Sequence, residues 1–333
     1  QGMKSTEAGI KFFLLSAMSS AVLLYGFAML YGATGATSLA EISRAVGRGA
    51  SAPVLLAIVM MVAGFGFKIS AAPFQLWTPD VYQGAPTPST AYFSVASKSA
   101  GFAVLLRIFM GALPGISAEW STLFLVLAFI TMTVGNVVAL LQTNIKRLMA
   151  YSSITHVGYM LLGLAAATPA GTSAVMFYLL SYAFTNLAAF TVITVMAKYA
   201  PDDEISGYAG LARRSPLLGL CLTAALLSLA GLPPFVGFFS KLNLFWVAIQ
   251  AASGPLQVGV FWALVMSAVS LFYYGRVIHT MWMREPLEEA VLVRPALSQS
   301  MALVVSSTGV LVLGVLGGPL IVAATKAAFN LVR

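Results

Sequence analysis

Long apolar segments that recur along the whole chain constrain this sequence more than any other feature. A membrane-spanning helix needs about 20 mostly apolar residues, whereas the strands of a membrane β-barrel alternate over about ten residues. The pattern therefore predicts an all-α polytopic bundle in which residues 1–333 form a single transmembrane domain of about nine helices. The predicted segments are 10–31, 53–78, 89–111, 121–141, 150–166, 172–199, 216–250, 258–283 and 299–323.

The composition supports this membrane class and excludes others. Only 8% of the 333 residues are charged and 59% are hydrophobic, whereas a soluble domain usually carries about 25% charged residues. The single cysteine, Cys221, excludes a disulfide framework and a thiolate metal site. The net charge of +8 indicates loop orientation signals rather than nucleic-acid binding, because no basic cluster exceeds two adjacent residues.

The basic loop residues are distributed unevenly between the two sides of a nine-helix bundle. The side on which the chain begins has nine: Lys4, Lys11, Lys146, Arg147, Lys198, Arg213, Arg214, Arg284 and Arg294. The opposite side has four: Arg44, Arg48, Lys326 and Arg333. The positive-inside rule therefore places the start of the chain on the cytoplasmic side. Because the first residues, "QGMKSTEAGIKFF", read like a loop that enters a helix, we expect further spans to precede them.

Two of the apolar segments are too long for one straight span and contain helix breakers. Residues 53–78 include Pro73, and residues 216–250 include Pro233 and Pro234 after a glycine. Proline removes a backbone donor and clashes with the preceding turn. Interrupted spans of this kind are typical of transport sites, although a simple kink is the alternative. We therefore predict two discontinuous helices beside a functional site.

Three lysines lie too deep in the apolar segments to reach a headgroup. They are Lys68, Lys98 and Lys241, whereas Arg107 and Arg276 lie near helix ends and can extend to the interface. An ionisable residue deep in a membrane marks a function by default. The alternative is a structural ion pair, but all ten acidic residues lie in loops or at helix ends. The three lysines are therefore our candidate site.

Burial disfavours the charged form of lysine, so a buried lysine can release and accept a proton near neutral pH. Arginine cannot do this, because it does not deprotonate in proteins. A row of such lysines is a proton relay, and Ser97, Ser240 and His156 are candidates to extend it through hydroxyls or water. His156 could equally be a packed, hydrogen-bonded residue.

Several stretches resemble a known family, the antiporter-like membrane subunits of proton-pumping NADH:quinone oxidoreductase (respiratory complex I). They are "GFGFKISAAPFQLWTPDVYQGAPTP", "ASKSAGFAVLLRIF", "QTNIKRLMAYSSITHVGYM" and "LSLAGLPPFVGFFSK". The stretch "WTPDVYQGAPTP" favours the subunit N branch of the family. The resemblance covers essentially the whole chain. It implies an antiporter-like bundle of fourteen helices with two inverted repeats, of which these would be the last nine.

The resemblance also implies roles for individual residues. Lys68 and Lys241 match the lysines of the two broken helices, and Lys98 matches the central-axis lysine. The family uses a glutamate on a preceding helix, which this sequence does not contain. Gln75 stands where family members often have histidine, so we assign it no proton-carrying role.

The family implies a proton-translocating subunit of an enzyme whose redox chemistry occurs elsewhere. We therefore expect no cofactor or metal site in this chain, with NADH, FMN, iron–sulfur clusters and quinone bound by other subunits. The expected partners are lipid, a neighbouring antiporter-like subunit and the small membrane subunits of the complex, in a bacterial inner membrane. The alternatives are a subunit of a multi-subunit Na⁺/H⁺ antiporter and a membrane scaffold that transports nothing.

Overall fold

The computed structural model describes residues 2–47, 49–200, 202–251, 254–286 and 292–332. The side chains of Lys4 and of residues 330–332 are not described, and Arg48 and Arg333 of the orientation argument lie outside the described residues. The described chain is helical and contains no β-strand, which confirms the all-α prediction. The helices are α1 (Met3–Thr34), α2 (Leu39–Val46), α3 (Ala52–Ile69), α4 (Trp77–Gly84), α5 (Thr87–Tyr92), α6 (Lys98–Gly111), α7 (Ser117–Leu140), α8 (Ile145–Ala165), α9 (Pro169–Met196), α10 (Leu211–Arg214), α11 (Pro216–Ala230), α12 (Val236–Gln250), α13 (Gly254–Met283), α14 (Leu297–Val315) and α15 (Gly317–Val332).

Among the described residues, eight helical segments are long and apolar enough to cross a membrane. They are Ser5–Thr34, Ala52–Ile69, Thr87–Gly111, Pro114–Leu140, Ile145–Ala165, Pro169–Met196, Gly254–Met283 and Leu297–Val315. Helix α11 is a shorter apolar helix, and together α11 and α12 occupy the predicted segment 216–250. The chain is therefore a multi-pass membrane protein.

Several predicted boundaries were wrong, among them the start of the first segment, since α1 begins at Met3 rather than at residue 10. Helix α8 begins at Ile145 rather than at 150, because the Asn144 side chain accepts hydrogen bonds from the Lys146 and Arg147 backbone amides and caps the helix there. His156 consequently lies near the middle of α8. The segment predicted as 299–323 is two helices, since α14 ends at Val315 and α15 begins at Gly317. The predicted loop 32–52 contains α2.

Both predicted helix breaks are present. Ser70 ends α3 with a left-handed φ of 66°, and the Ala72–Pro73 peptide bond is cis. Gly231 ends α11 with a φ of 85°, and the Pro233–Pro234 peptide bond is cis. Proline prevents continuation of the helix at both places, and the left-handed residue turns the chain out of the helix. The two discontinuous helices, α3–α4 and α11–α12, are thereby confirmed.

Helix α8 forms the centre of the bundle. In its most apolar 18-residue window 94% of the residues are buried, compared with 11% for the first span. It packs against α4, α7, α9, α12 and α13. Glycines bring α7 and α8 together, because a Cβ at Gly158 would lie 2.8 Å from the Met132 amide nitrogen and a Cβ at Gly135 would lie 2.7 Å from the Thr155 amide nitrogen. The buried polar side chains of α8, such as Ser152, Ser153 and His156, are therefore held away from lipid.

Candidate proton-relay site

Lys98 is the first residue of α6, directly after a π-helical turn that covers Phe93–Ser97. Such turns interrupt the regular helical hydrogen bonding and are frequent at functional sites. Lys98 is 1% exposed, and its Nζ donates a hydrogen bond to the Ser153 hydroxyl of α8. The ring centroid of Tyr82 lies 6.0 Å from the same Nζ. The lysine is therefore buried against α8 with a hydroxyl and an aromatic face as partners.

Lys241 lies in α12, just after the second break. Its Nζ donates to the Ala230 carbonyl oxygen at 2.9 Å and to the Ser267 hydroxyl at 2.8 Å. Ala230 ends α11, so its carbonyl has no partner within that helix. The Nζ also lies 5.0 Å from the ring centroid of Tyr159 in α8. The break thus supplies a backbone acceptor for a buried ammonium group.

One face of α8 contacts both of these lysines. Ser153, His156 and Tyr159 follow at intervals of three residues, which places them on neighbouring turns of the same face. The rings of His156 and Tyr159 lie 5.7 Å apart. We call Lys98, Ser153, His156, Tyr159 and Lys241 the central chain.

His156 is held by two tyrosines within this chain. Its Nδ1 lies 2.7 Å from the Tyr178 hydroxyl of α9, and its Nε2 lies 3.4 Å from the Tyr274 hydroxyl of α13. The Tyr274 hydroxyl also lies 2.5 Å from the Ser152 hydroxyl. His156 is therefore a packed, hydrogen-bonded residue, as the alternative interpretation required, and it also lies between Lys98 and Lys241.

A cavity of about 10 Å³ adjoins His156, and its lining includes Tyr182, Thr185, Ser228 and Ser240. This volume approaches what one water molecule needs, and the lining supplies several polar partners. Ser240 is buried and donates to the Gly237 carbonyl at 3.1 Å. Ser240 thus lines the same cavity as His156 of the central chain.

Ser97 does not join the central chain. It is half-buried at the end of the π-helical turn, and the hydroxyl that contacts Lys98 belongs to Ser153 instead. Neighbouring Ser94 is fully buried and accepts a hydrogen bond from the Asn186 side chain of α9 at 2.5 Å.

Lys68 is separate from the central chain. It lies in the last turn of α3, is half-buried, and donates to the Ser16 and Ser20 hydroxyls of α1 at 3.1 and 3.2 Å. Within the described part of the chain, the ion pairs formed by lysine are those of Lys11 and Lys146, so Lys68, Lys98 and Lys241 have no carboxylate partner there.

The first break, where Pro73 lies, buries three polar side-chain atoms that have no hydrogen-bond partner among the described residues. They are the Ser70 hydroxyl, the Gln75 amide oxygen and the Thr78 hydroxyl. A buried polar group without a partner is costly. The segment between Lys68 and α4 is thus polar although it lies in an apolar setting, and Gln75 contributes an acceptor to it.

The two intramembrane arginines differ from the lysines. Arg107 is exposed on α6, which agrees with a side chain that extends to the interface. Arg276 donates to the Leu140 carbonyl at 3.1 Å and to the Gln142 carbonyl. It therefore binds the carboxyl end of α7, where a positive charge is stabilised by the helix dipole.

Sequence reasoning missed Ser153, Tyr82, Tyr159 and Ser267. A signal for two of them was present, because Ser153 and Tyr159 flank His156 at helical spacing in an otherwise apolar segment. Tyr82 and Ser267 gave no such signal, since their positions depend on how separate helices pack. Among the described residues, no group of three or more His, Cys, Asp or Glu side chains is placed to hold a metal ion.

Comparison with known proteins identifies the family of this chain. The family model described as "NADH:quinone oxidoreductase/Mrp antiporter, TM" matches residues 1–271. The chain belongs to this family. NADH-quinone oxidoreductase subunit N of Desulforamulus reducens is 46% identical over 326 residues, which cover 98% of this chain and 67% of the relative. The chain spans about two thirds of the length of the curated relatives it matches.

Solved structures of this antiporter family share the fold. A chain of respiratory complex I from Thermus thermophilus, determined with bound aureothin, is 38% identical and superposes with a TM-score of 0.82, covering 96% of this chain and 69% of the other. A chain of the Mrp complex from Dietzia sp. is 23% identical with a TM-score of 0.90, covering 100% of this chain and 69% of the other, and this likeness concerns the fold alone. The antiporter-like fold predicted from sequence is confirmed.

Proposed function

We propose that this chain is the larger part of a subunit N-type membrane subunit of a proton-translocating NADH:quinone oxidoreductase. Protons pass through the central chain, and Lys68 belongs to the same relay. The relatives named as subunit N, at 46 to 48% identity, support the assignment to this enzyme. The enzyme's NADH, FMN, iron–sulfur clusters and quinone are then bound by other subunits. The partners are lipid and other membrane subunits, among them a neighbouring antiporter-like subunit.

The observation that carries the proposal is the placement of Lys98 and Lys241 on opposite ends of one buried helix face. Both ammonium groups are buried and lack a carboxylate partner within the described part of the chain. Burial disfavours the charged state, so a proton is released readily when a neighbouring group becomes more positive. His156 lies between them and can accept and donate through its two nitrogens.

The order of transfer follows from the contacts. Lys98 can pass a proton to the Ser153 hydroxyl, which lies one helical turn from His156. From His156 the route to Lys241 runs past Tyr159 or through the polar cavity beside Ser240. A hydroxyl group both accepts and donates, so it relays a proton without changing its own net charge. The polar first break supports a hydrated path near Lys68. The proposed location is a bacterial inner membrane, with the start of the chain on the cytoplasmic side.

Substitution of the lysines in the intact complex tests the proposal. We expect Lys98→Met and Lys241→Met to lower proton uptake per electron at least about tenfold through this subunit, because no other group can hold the proton there. Lys98→Arg should be nearly as impaired, since arginine keeps the charge but does not release its proton. The measurement is proton uptake into vesicles that contain the full-length subunit, together with NADH oxidation. Arg107→Gln, at an exposed position, is the control.

Two outcomes contradict the proposal. If the lysine variants assemble and pump like the wild-type complex, the chain is a scaffold. If uptake requires sodium and is abolished in its absence, the second candidate applies, a subunit of a cation/proton antiporter. The family description also names the Mrp antiporter. The experiment therefore includes a measurement of proton uptake in sodium-free buffer.

A further inference from the structure

Asp80 lies outside the central chain. It contacts α8, which contributes three residues to that chain, and α1, which contacts Lys68. We propose that Asp80 is a positioning residue for Lys98. Asp80 fixes α4 against α8, so that Tyr82 of α4 stays in contact with Lys98 and Ser153. The proposal rests on the proposed function, because it has a consequence for transport only if Lys98 carries protons.

Helix α4 is a short segment that depends on its side chains for its position. It follows the first break and is followed by Ala85 and Pro86 before α5 begins. Its start is held by Trp77, whose Nε1 donates to the Phe67 carbonyl at 3.0 Å and whose ring lies 5.1 Å from that of Phe12. The remainder of α4 needs a second anchor.

Asp80 provides this anchor. One carboxylate oxygen lies 2.9 Å from Arg147 in the first turn of α8, and the other lies 2.9 Å from Lys11 of α1. Arg147 also donates to the Gln83 side chain at 3.2 Å. Arg147 therefore holds α4 at two positions one turn apart, and the carboxylate joins three helices at one point.

Tyr82 belongs to the same short helix and contacts the relay. It is fully buried, and its hydroxyl lies 3.4 Å from the Ser153 hydroxyl that accepts from Lys98. Its ring lies 6.0 Å from the Lys98 Nζ, a distance at which an aromatic face stabilises a cation. A helix of this length moves as a unit, so a shift of α4 also moves Tyr82 relative to Lys98.

The same carboxylate connects the two parts of the relay. Lys11 lies on α1, the helix that supplies the Ser16 and Ser20 hydroxyls to Lys68. Arg147 lies on α8, the helix that supplies Ser153 to Lys98. Asp80 therefore links the helix that contacts Lys68 with the helix that contacts Lys98, and a displacement on one side reaches the other through α4.

Asp80 is charged under working conditions. Partial burial raises the pKa of its carboxyl, but the hydrogen bonds from Lys11 and Arg147 outweigh burial and lower the pKa below its ordinary value. The anchor is thus a permanent ion pair rather than a titrating one.

The test compares two neutralised carboxylates of the same cluster. Asp80→Asn removes the negative charge that pairs with Lys11 of α1 and Arg147 of α8, whereas Glu7→Gln removes only the other charged partner of Lys11, at 2.7 Å within α1. We expect Asp80→Asn to lower proton uptake per electron about fivefold, since a charge-assisted contact that positions the relay is lost. Glu7→Gln should stay near the wild-type value. Asp80→Glu, which keeps the charge, should recover most of the loss. Proton uptake and NADH oxidation are both measured on the assembled complex in vesicles.

A double variant separates positioning from general stability. If Asp80 acts through Tyr82, Asp80→Asn combined with Tyr82→Phe should transport no worse than the more impaired single variant. Multiplied losses would overturn the proposal, as would equal values for Asp80→Asn and Glu7→Gln or an Asp80→Glu variant no better than Asp80→Asn.

Two further variants cover the remaining outcomes. If Asp80→Asn prevents assembly, Arg147→Lys takes its place, because lysine keeps the charge but cannot hold Asp80, Gln83 and Gln142 together. We expect Arg147→Lys to lower proton uptake per electron in part. An unchanged proton uptake per electron would overturn the proposal. Lys98→Met is measured in parallel. An unimpaired Lys98→Met defeats the proposed function, whereas an impaired Lys98→Met beside an unimpaired Asp80→Asn defeats only this inference.

Discussion

The two helix breaks place a lysine in a membrane by different means. At the first break Lys68 lies before the interruption, is half-buried, and donates to two hydroxyls of another helix, α1. At the second break Lys241 lies after the interruption, is buried, and donates to the Ala230 carbonyl at the break itself. Residues 64–68, "GFGFK", and residues 237–241, "GFFSK", are similar in sequence, but only the second break supplies a backbone partner to its own lysine.

The difference has a consequence for how each lysine is stabilised. Lys241 depends on the conformation of its own broken helix, so a change in the break changes its environment directly. Lys68 depends on α1 and on the position of α3 against it. The polar side chains of the first break, Ser70, Gln75 and Thr78, have no partner among the described residues. The second break is thus a fixed binding site for an ammonium group, and the first is a polar segment beside one.

The largest expected effect concerns the glycines of the two motifs. A Cβ at Gly237 would lie 1.8 Å from the Ser228 carbonyl oxygen, which is backbone, whereas a Cβ at Gly66 would lie 2.5 Å from a ring carbon of Phe74. Because a ring can rotate and a helix backbone cannot, we expect Gly237→Ala to cost more than about 3 kcal/mol and Gly66→Ala about 1 to 3 kcal/mol. The measurement is the thermal stability and yield of the assembled complex.

Gly275→Ala is the matched control, because no atom lies within 4 Å of its added Cβ. It should be neutral or stabilising by about 0.5 to 1 kcal/mol, since alanine is the better helix former. Equal losses for Gly237→Ala and Gly66→Ala would show that the two breaks are equally rigid and would remove this part of the comparison.

An intermediate effect concerns the hydroxyl partners of the two lysines. Ser267→Ala leaves Lys241 with the Ala230 carbonyl as its remaining hydrogen-bond partner in the described chain, and we expect it to cost about 1 to 2 kcal/mol at this buried site. Ser16→Ala should cost about 0.5 kcal/mol or less, because Lys68 is half-buried and keeps Ser20. Melting curves of the two variants measure the difference. A larger loss for Ser16→Ala would reverse our ranking of the two sites.

The smallest effect concerns the pH dependence of the Asp80 ion pairs, which hold α4 in place after the first break. The lowered pKa of Asp80 means that its folded-state stabilisation is complete above the unfolded pKa and is lost as the pH falls through the folded one. The difference in melting temperature between wild type and Asp80→Asn should therefore stay constant from about pH 8 to about pH 5 and shrink only below about pH 4. A difference that disappears near neutral pH would show that another group controls the anchor.

Sequence reasoning identified the elements of the site better than their connections. It located Lys68, Lys98, Lys241 and both breaks, because charge and proline in an apolar segment are costly and visible without a structure. It began the segment that contains His156 at residue 150 rather than at 145, since the polar start of α8 concealed five residues of helix. It named Ser97, the neighbour of Lys98 in the chain, and missed Ser153, because proximity in sequence is a poor guide to contact between helices.

The sequence by itself determined that this chain is a membrane-embedded helical bundle with two interrupted helices and three intramembrane lysines. The length of an apolar segment and the backbone chemistry of proline are local properties, so a continuous stretch of the sequence is enough to show them. Only the tertiary structure decided that Ser153, His156 and Tyr159 form one face of α8 that contacts both Lys98 and Lys241, and that Asp80 joins α1 to α8. Those contacts are made between helices far apart in the chain, where packing rather than sequence distance sets which side chains meet.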